Sequence, residues 1–345
     1  MFKPNLKRTF ALSALAAFIG FSQIAEARTV VDAKGNAVEL PEKVERVADL
    51  WHANNQIVLL LGGADKMVST TNVIKANKWF TLVYPRAKEL PAVTNGSDSN
   101  IEELLKLNPD VALTSNAQGF ADLQKANIPA AYVMFQDFEG LKRTVKITAD
   151  ILGDDAPKVA EEYVKELDGN IAFINERVKN VPEEKRPVVL HISNANNLYK
   201  IDGGKSIIGD WVRKAGGRNA LPDQANLVEV SMEEILAANP DVIIVGSSKA
   251  QGGVDKILTD PTWASISAVK NKKVFVNPTG TFPWDRYSAE EALQILWAAQ
   301  KFHPELFKDV DMVQRTQDFY KKYYHYDLSK ENAEQILQGL NPIEK

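Results

Sequence analysis

Apolar and polar positions along this chain follow two rhythms: short continuous apolar runs, and longer stretches with apolar residues three or four apart. The runs predict buried strands at residues 44–50, 67–70, 111–113, 130–135, 188–192, 242–245 and 274–276. The longer stretches predict helices at 51–63, 120–127, 206–215, 254–257, 263–269 and 288–302, with amphipathic helical sequence from 320 to 340. A hairpin is expected over 29–41, turning at Lys34-Gly35-Asn36. A long polar-aromatic loop through Trp79, Phe80 and Tyr84 should follow the second strand. Ala156, Val159, Ala160, Tyr163, Val164, Leu167, Ile171, Ile174 and Val178 form one unbroken helical stripe, ended by the prolines at 182 and 187. A helix of about 25 residues spans roughly 37 Å, which suits a rigid strut better than a flexible linker.

One segment occurs twice. The sixteen residues from Asn100 to Ser115 return as Ser231 to Gly246, and Glu102/Glu233, Glu103/Glu234, Leu105/Leu236, Asn108/Asn239, Pro109/Pro240, Asp110/Asp241 and Val111/Val242 are identical. Each copy reads as an N-capped helix with Glu three residues after the cap, an apolar Leu-Leu or Ile-Leu pair, a stop at Asn-Pro and a buried strand. Such a repeat describes two similar lobes, and alternating strands and helices argue for parallel sheets covered on both faces. The expected fold is α/β: two similar Rossmann-like lobes joined by one long backbone helix, with a ligand cleft between them. The expected division is a leader at 1–27, an N-terminal lobe at 28–150, the inter-lobe helix at 151–182 and a C-terminal lobe at 183–345.

The leader expectation rests on Lys3, Lys7 and Arg8, an apolar stretch at 9–21 and an Ala25-Glu26-Ala27 cleavage pattern. The stretch is too short to span a bilayer, and a chain without cysteine offers no lipid-attachment site. A periplasmic protein released by cleavage, not inserted in the membrane, is therefore expected. The chain has 41 basic and 45 acidic residues, and the leader removes three basic and one acidic, leaving a net charge of about −6. That balance disfavours nucleic acid as a partner. Disulfides are excluded, so stability must come from the cores.

Taken in order, Asp32-x-x-Gly35-x-x-Val38-x-Leu40-Pro41, Arg46-Val47, Leu61-Gly62, the repeated Glu-x-Leu/Ile-Leu-x-x-x-Pro-Asp-Val and Ala215-Gly216-Gly217-x-Asn219 resemble the substrate-binding proteins of ABC importers. Within them, the chain is similar to the class with a single rigid inter-lobe helix, whose members bind ferric siderophores, haem, cobalamin and related metal cargo, some of them molybdate. The resemblance covers the whole chain after the leader. It implies transport rather than catalysis, no cofactor, a monomer, and a permease dimer with its ATPase as partner. It also implies that one acidic residue per lobe docks on permease arginines, at positions matching Glu102 and Glu233. Residues in a first helical turn also favour the helix dipole, a reading that suits Glu103 and Glu234 better because they hold the capping-box place.

Ligands of open α/β sheets bind beyond the carboxyl ends of the strands. Four post-strand segments meet that condition: 51–55, 70–79, 194–199 and 278–287. The first offers Trp51, His52, Asn54 and Asn55 at a helix start, where N–H groups favour an anion; Asn54 could equally be that helix's N-cap. The last offers Trp284, Arg286 and Tyr287. The planar donor fork of Arg286 suits oxyanions, against the alternative of a salt bridge with Asp285 or Glu290. Removing Arg286 is then expected to weaken binding without unfolding the protein. Thr71 and Tyr199 complete the candidate set, with Asn197, Thr70, Lys75 and Trp79 behind them. His191, His303 and His325 read as structural. No catalytic or metal-binding residues are assigned: G-x-S-x-G, phosphate-loop and H-E-x-x-H motifs are absent, which leaves a chelatase-like enzyme as the rival class. One histidine and one aspartate are too few for a bare divalent cation. A single arginine among amides and hydroxyls favours a small metal oxyanion, molybdate or tungstate. A ferric siderophore or another metal chelate (iron, haem, cobalamin or a nickel complex) is the alternative.

Overall fold

A computed structural model describes residues 27–95, 98–246 and 250–343, so the expected leader lies, but for its last residue, outside the described residues. Ala27–Val31 and Ala37–Pro41 form the antiparallel hairpin, and Gly35 takes a φ of 86° in its turn, a region glycine enters without steric cost.

Two sheets follow. The first is parallel throughout, in the order Met67–Ser69, Val47–Asp49, Val111–Thr114, Ala130–Tyr132. The second runs Val228–Glu229, Asn197–Ile201, Val188–Asn194, Val242–Val245, Val274–Val276, with Arg218–Asn219 also pairing to Val188–Asn194. It is mixed, where a purely parallel sheet was expected. The reason is local: the Asn194 carboxamide oxygen accepts from the backbone N–H groups of Asn196 and Asn197 at 3.0 and 3.3 Å. That turn folds the chain straight back as an antiparallel strand instead of releasing it into a crossover helix. Residues 194–199 are thus a hairpin turn and the start of an antiparallel strand, not a loop.

The repeat copies are equivalent in both sheets. Helices Ile101–Leu107 and Met232–Ala238 are capped by Asn100 and Ser231, whose side chains accept from the N–H groups of Glu103 and Glu234. The box is complete at Ser231, where Glu234 also accepts from the cap N–H at 2.8 Å. Asn108 and Asn239 end the helices in the left-handed region, at φ 44° and 40°. The strands that follow, Val111–Thr114 and Val242–Val245, are buried along their whole length. Only the first residue of each apolar pair enters the core. Leu104 and Ile235 are fully buried, whereas Leu105 and Leu236 are 52% and 39% exposed.

Helix Ala156–Val178 occupies the stripe read from the sequence, burying Ala156, Ala160, Tyr163, Leu167, Ile174 and Val178. The Tyr163 hydroxyl donates to the Ala289 carbonyl at 2.8 Å and the Asn170 amide to the Ala292 carbonyl at 3.0 Å, pinning it to the start of helix Glu291–Phe302. One apolar cluster runs through this helix from Val30 to Ile336, so the connection between the lobes is packed rather than hinged. Two expectations change. The polar-aromatic loop is in fact two short helices, Asn72–Ala76 and Lys78–Val83, capped by Thr71 and Asn77. Helix Phe138–Leu152, capped by Asp137, was not anticipated at all, although Phe138, Leu141, Val145 and Leu152 recur at helical spacing. No helix among the described residues is long and apolar enough to cross a membrane.

Candidate functional site

Beyond the carboxyl end of Val47–Asp49 the chain turns at Trp51 into helix His52–Leu60. Trp51, not Asn54, is the N-cap residue, and its own N–H reaches the Asp49 carboxylate at 3.2 Å. This turn presents two rings to the opposite lobe. Trp51 lies 5.7 Å from Tyr287 and 5.6 Å from Phe135, and Phe135 lies 5.6 Å from Tyr287, giving three tilted or edge-on contacts. His52 stacks on Phe282 at 5.5 Å. Tyr287 sits at φ 55°, an uncommon conformation for a bulky residue, and its hydroxyl accepts from Asn226 at 3.2 Å and faces the Gln136 amide oxygen at 3.5 Å. The lobes therefore meet through aromatic faces with polar rims. Phe135, Gln136, Asn226 and Phe282 belong to this contact and were not read from the sequence. Phe282 lies within the post-strand segment 278–287, and Phe135 at the end of the strand expected over 130–135.

Half-buried His52 has no hydrogen-bond partner among the described residues, and burial holds its imidazole below the ordinary value. As a neutral ring it offers one donor and one acceptor.

The amide candidates are engaged within the first lobe. Asn54 and Asn55 are fully buried. Asn54 donates to Asp49 at 3.1 Å and accepts from Thr148 at 3.3 Å. Asn55 donates to the Asp49 and Trp51 carbonyls and accepts from Thr70 at 2.6 Å. The Thr71 hydroxyl accepts from the Ile74 N–H as a helix cap. Lys75 reaches the Leu90 carbonyl and Trp79 the Leu340 carbonyl. Asn197 donates to Glu229 at 2.7 Å. Tyr199, on the antiparallel strand, leans on Trp263 with ring centroids 6.2 Å apart, away from the ring cluster. Trp284 is wholly inside the core, and its indole N–H has no partner among the described residues.

Arg286 is the charged member of the site, with 17% of its side chain exposed. Its Nη2 donates to Asp202 at 2.8 Å and lies 3.5 Å from Asp285, while its buried Nε has no partner. The alternative salt bridge read from the sequence is thus present in altered form, with Asp202 as the nearer acid. Glu290 takes no part: it accepts from Thr281 and the Phe282 N–H, and burial pushes its carboxyl up to about 7. His191 completes the cluster from the middle of Val188–Asn194: its Nδ1 hydrogen-bonds the Asp202 carboxylate at 2.9 Å, and its Nε2 lies 2.9 Å from an Asp285 oxygen without hydrogen-bond geometry. Burial opposes ionisation of both acids, but His191 and Arg286 outweigh it, holding Asp285 below the usual range and Asp202 at about 2. For His191, burial lowers and the two acids raise, and the acids prevail. Only Asp285 and Arg286 are neighbours in the sequence, so the cluster had no local signature.

Glu102 and Glu233 are exposed and make no hydrogen bond or ion pair among the described residues, in contrast to the capping Glu103 and Glu234. A groove of about 500 Å³ opens between the lobes near the His52–Phe282 stack, lined by Val73, Trp79, Phe282, Pro283 and Leu340 among others.

The chain has counterparts in sequence and in overall fold. The molybdate-binding protein MolA of Haemophilus influenzae is 27% identical in sequence, with 94% of this chain and 99% of that protein aligned. The high-affinity heme uptake protein IsdE of Staphylococcus aureus is 26% identical over 55% of this chain and 67% of its own length. Among solved structures, a periplasmic solute-binding protein from Veillonella parvula superposes with a TM-score of 0.78 at 25% identity, covering 91% of this chain and 97% of that one. MolA bound to molybdate superposes at 0.77 with 24% identity, covering 88% and 99%. The two-lobed plan is shared with these proteins, and with residues 47–279 matching the family's model, the chain belongs to the periplasmic binding proteins.

Proposed function

We propose that this protein collects a small metal oxyanion, molybdate or tungstate, in the periplasm and delivers it to the permease of an ABC importer. The observation that carries this reading is Arg286: a guanidinium fixed at the lobe contact, one nitrogen held by acids and another buried without a partner. An anion with several acceptor oxygens is the complementary ligand. The Tyr287 hydroxyl and the His52 imidazole add hydrogen-bonding groups beside aromatic walls. Among the described residues no group of three His, Cys, Asp or Glu side chains could hold a bare cation, which favours an oxyanion over a free metal ion. Likeness in sequence to a molybdate-binding protein points the same way. The apolar inter-lobe groove of about 500 Å³ favours a second reading, in which a bulky metal chelate rests on Trp79 and Phe282.

Titration calorimetry on the leaderless protein separates the two. Heat with molybdate and tungstate but none with sulfate supports the oxyanion. Silence with all three anions, and binding of a ferric siderophore or haem, transfers the function to the groove.

Delivery rests on Glu102 and Glu233, one unpaired carboxylate at the start of the repeat helix in each lobe. They are proposed to dock on basic residues of the two permease subunits, with the ATPase driving release.

A further inference from the structure

We propose that His191 is the positioning residue of the anion site: as an imidazolium it engages Asp202 and Asp285 together and leaves the Arg286 guanidinium available to a bound anion. The inference rests on the oxyanion reading and concerns what prepares the site.

Four side chains form a closed circuit. The His191 ring stands between Asp202 and Asp285, 2.9 Å from an oxygen of each, and Arg286 Nη2 lies 2.8 and 3.5 Å from the same two oxygens. His191, Asp202 and Asp285 have no exposed side-chain surface, so no solvent charge intervenes. A neutral imidazole has one N–H and can serve one of these acids; an imidazolium serves both. With both acids ionised and Arg286 charged, a protonated His191 makes the circuit neutral, and a neutral His191 leaves one negative charge beside the cleft. That charge repels an incoming anion and draws Arg286 inward to compensate.

Among the described residues the surroundings add no other counter-charge at short range. The Trp211 ring meets His191 edge-on at 5.9 Å and donates its indole N–H to the Asp285 carbonyl at 3.0 Å. The Leu227 N–H donates to the second Asp202 oxygen at 3.0 Å, and that of Asp285 has no partner among the described residues. Gly246 covers the remaining side, where a Cβ would stand 2.4 Å from Asp285 and 3.2 Å from His191. Of the buried acids nearby, Asp285 and Asp210 act on Glu291 through space, and burial pushes its carboxyl well above the usual range.

The expected consequence is binding that weakens as His191 loses its proton. Its folded-state titration lies above the ordinary histidine value because the acids outweigh burial, so the midpoint of that loss is displaced upward. As pH rises from about 6 through the His191 titration, the dissociation constant for molybdate should rise at least about tenfold. In His191→Gln the affinity should be low and flat with pH. In His191→Gln/Asp285→Asn, which makes the circuit neutral again without a titrating group, affinity should recover to within about threefold of wild type and stay flat. A merely structural histidine would give none of these profiles. Nitrogen chemical shifts of the His191 ring in the ligand-free protein report the same event without a ligand and without a variant.

A wild-type affinity that does not change with pH, or a double variant no tighter than the single one, overturns the proposal. So does a His191 ring that stays neutral at the acid end of the range. Absence of molybdate heat at every pH, with the ring titrating as described, instead overturns the oxyanion reading and leaves the circuit to be tested on the chelate.

Discussion

The two lobes carry the same strand at the cleft and put opposite chemistry on it. Asp49 lies opposite Leu113 in the first sheet, and His191 lies opposite Ile244 in the second, where Leu113 and Ile244 are repeat equivalents. Asp49 and His191 thus hold one position in two copies of one plan. In the first lobe the buried acid has hydrogen-bond donors, the Trp51 N–H and the Asn54 amide, but no cation, and burial pushes it up to about 8. In the second lobe two acids share an imidazole and a guanidinium, and both remain ionised. The first lobe contributes a neutral aromatic and amide surface; the second contributes charge. The repeat supplies a common frame, and the two sides of it carry different chemistry.

The largest expected effect follows from removing the cation that the first lobe lacks. Arg286→Ala leaves Asp202 and Asp285 buried with His191 alone and should cost about 3 kcal/mol of stability in urea denaturation. The sequence led to the expectation of weaker binding without unfolding, and the buried acids add this stability cost to it. Arg286→Lys keeps a charge but loses the fork, so it should retain most of the stability while binding oxyanions more weakly. Equal destabilisation by both variants would mean that the second lobe does not depend on charge compensation.

Exchanging the residue that ends each repeat is next. Ser115 has the counterpart Gly246, which lies against the charged circuit. Gly246→Ser drives a Cβ to within 2.4 Å of the Asp285 carboxylate and should cost about 2 kcal/mol, with loss of anion binding. The reverse change, Ser115→Gly, meets no such circuit and should cost only about 0.5 kcal/mol, from backbone freedom. Thermal unfolding of the pair measures the asymmetry directly, and equal shifts would erase it.

The smallest effect on stability falls where the lobes agree. Glu102→Lys with Glu233→Lys should leave stability within about 0.5 kcal/mol and ligand affinity unchanged, because both carboxylates are exposed and unpaired. Uptake by cells carrying the permease should nevertheless be lost. Normal uptake would remove the docking role from these helices, and weakened ligand binding would place the pair in the wrong part of the molecule. Leu105 and Leu236, exposed one turn further along the same two helices, show that the equivalence extends beyond the carboxylates.

What the sequence by itself determined is the set of features written within one element or repeated between two. The backbone helix Ala156–Val178 was legible because a periodic apolar stripe suffices to place a helix, and the repeat helices because cap, box and Asn-Pro stop lie within ten residues. The Trp51–His52 turn and the Arg286–Tyr287 loop were legible as post-strand segments, since strand ends at a cleft follow from topology. The use of each side chain was decided by tertiary structure. Asn54, Asn55 and Thr71 resemble ligand groups in sequence, yet buried amides and hydroxyls must find partners, and theirs lie in their own lobe. Tyr199 leans on Trp263 because a two-residue turn reversed the strand that carries it. His191, Asp202 and Arg286 stand far apart in the chain and meet only where the second sheet closes. Periodicity and capping act over a few residues and can be read along the chain. Charge compensation in a buried site acts through space, and only the folded protein shows which residues share it.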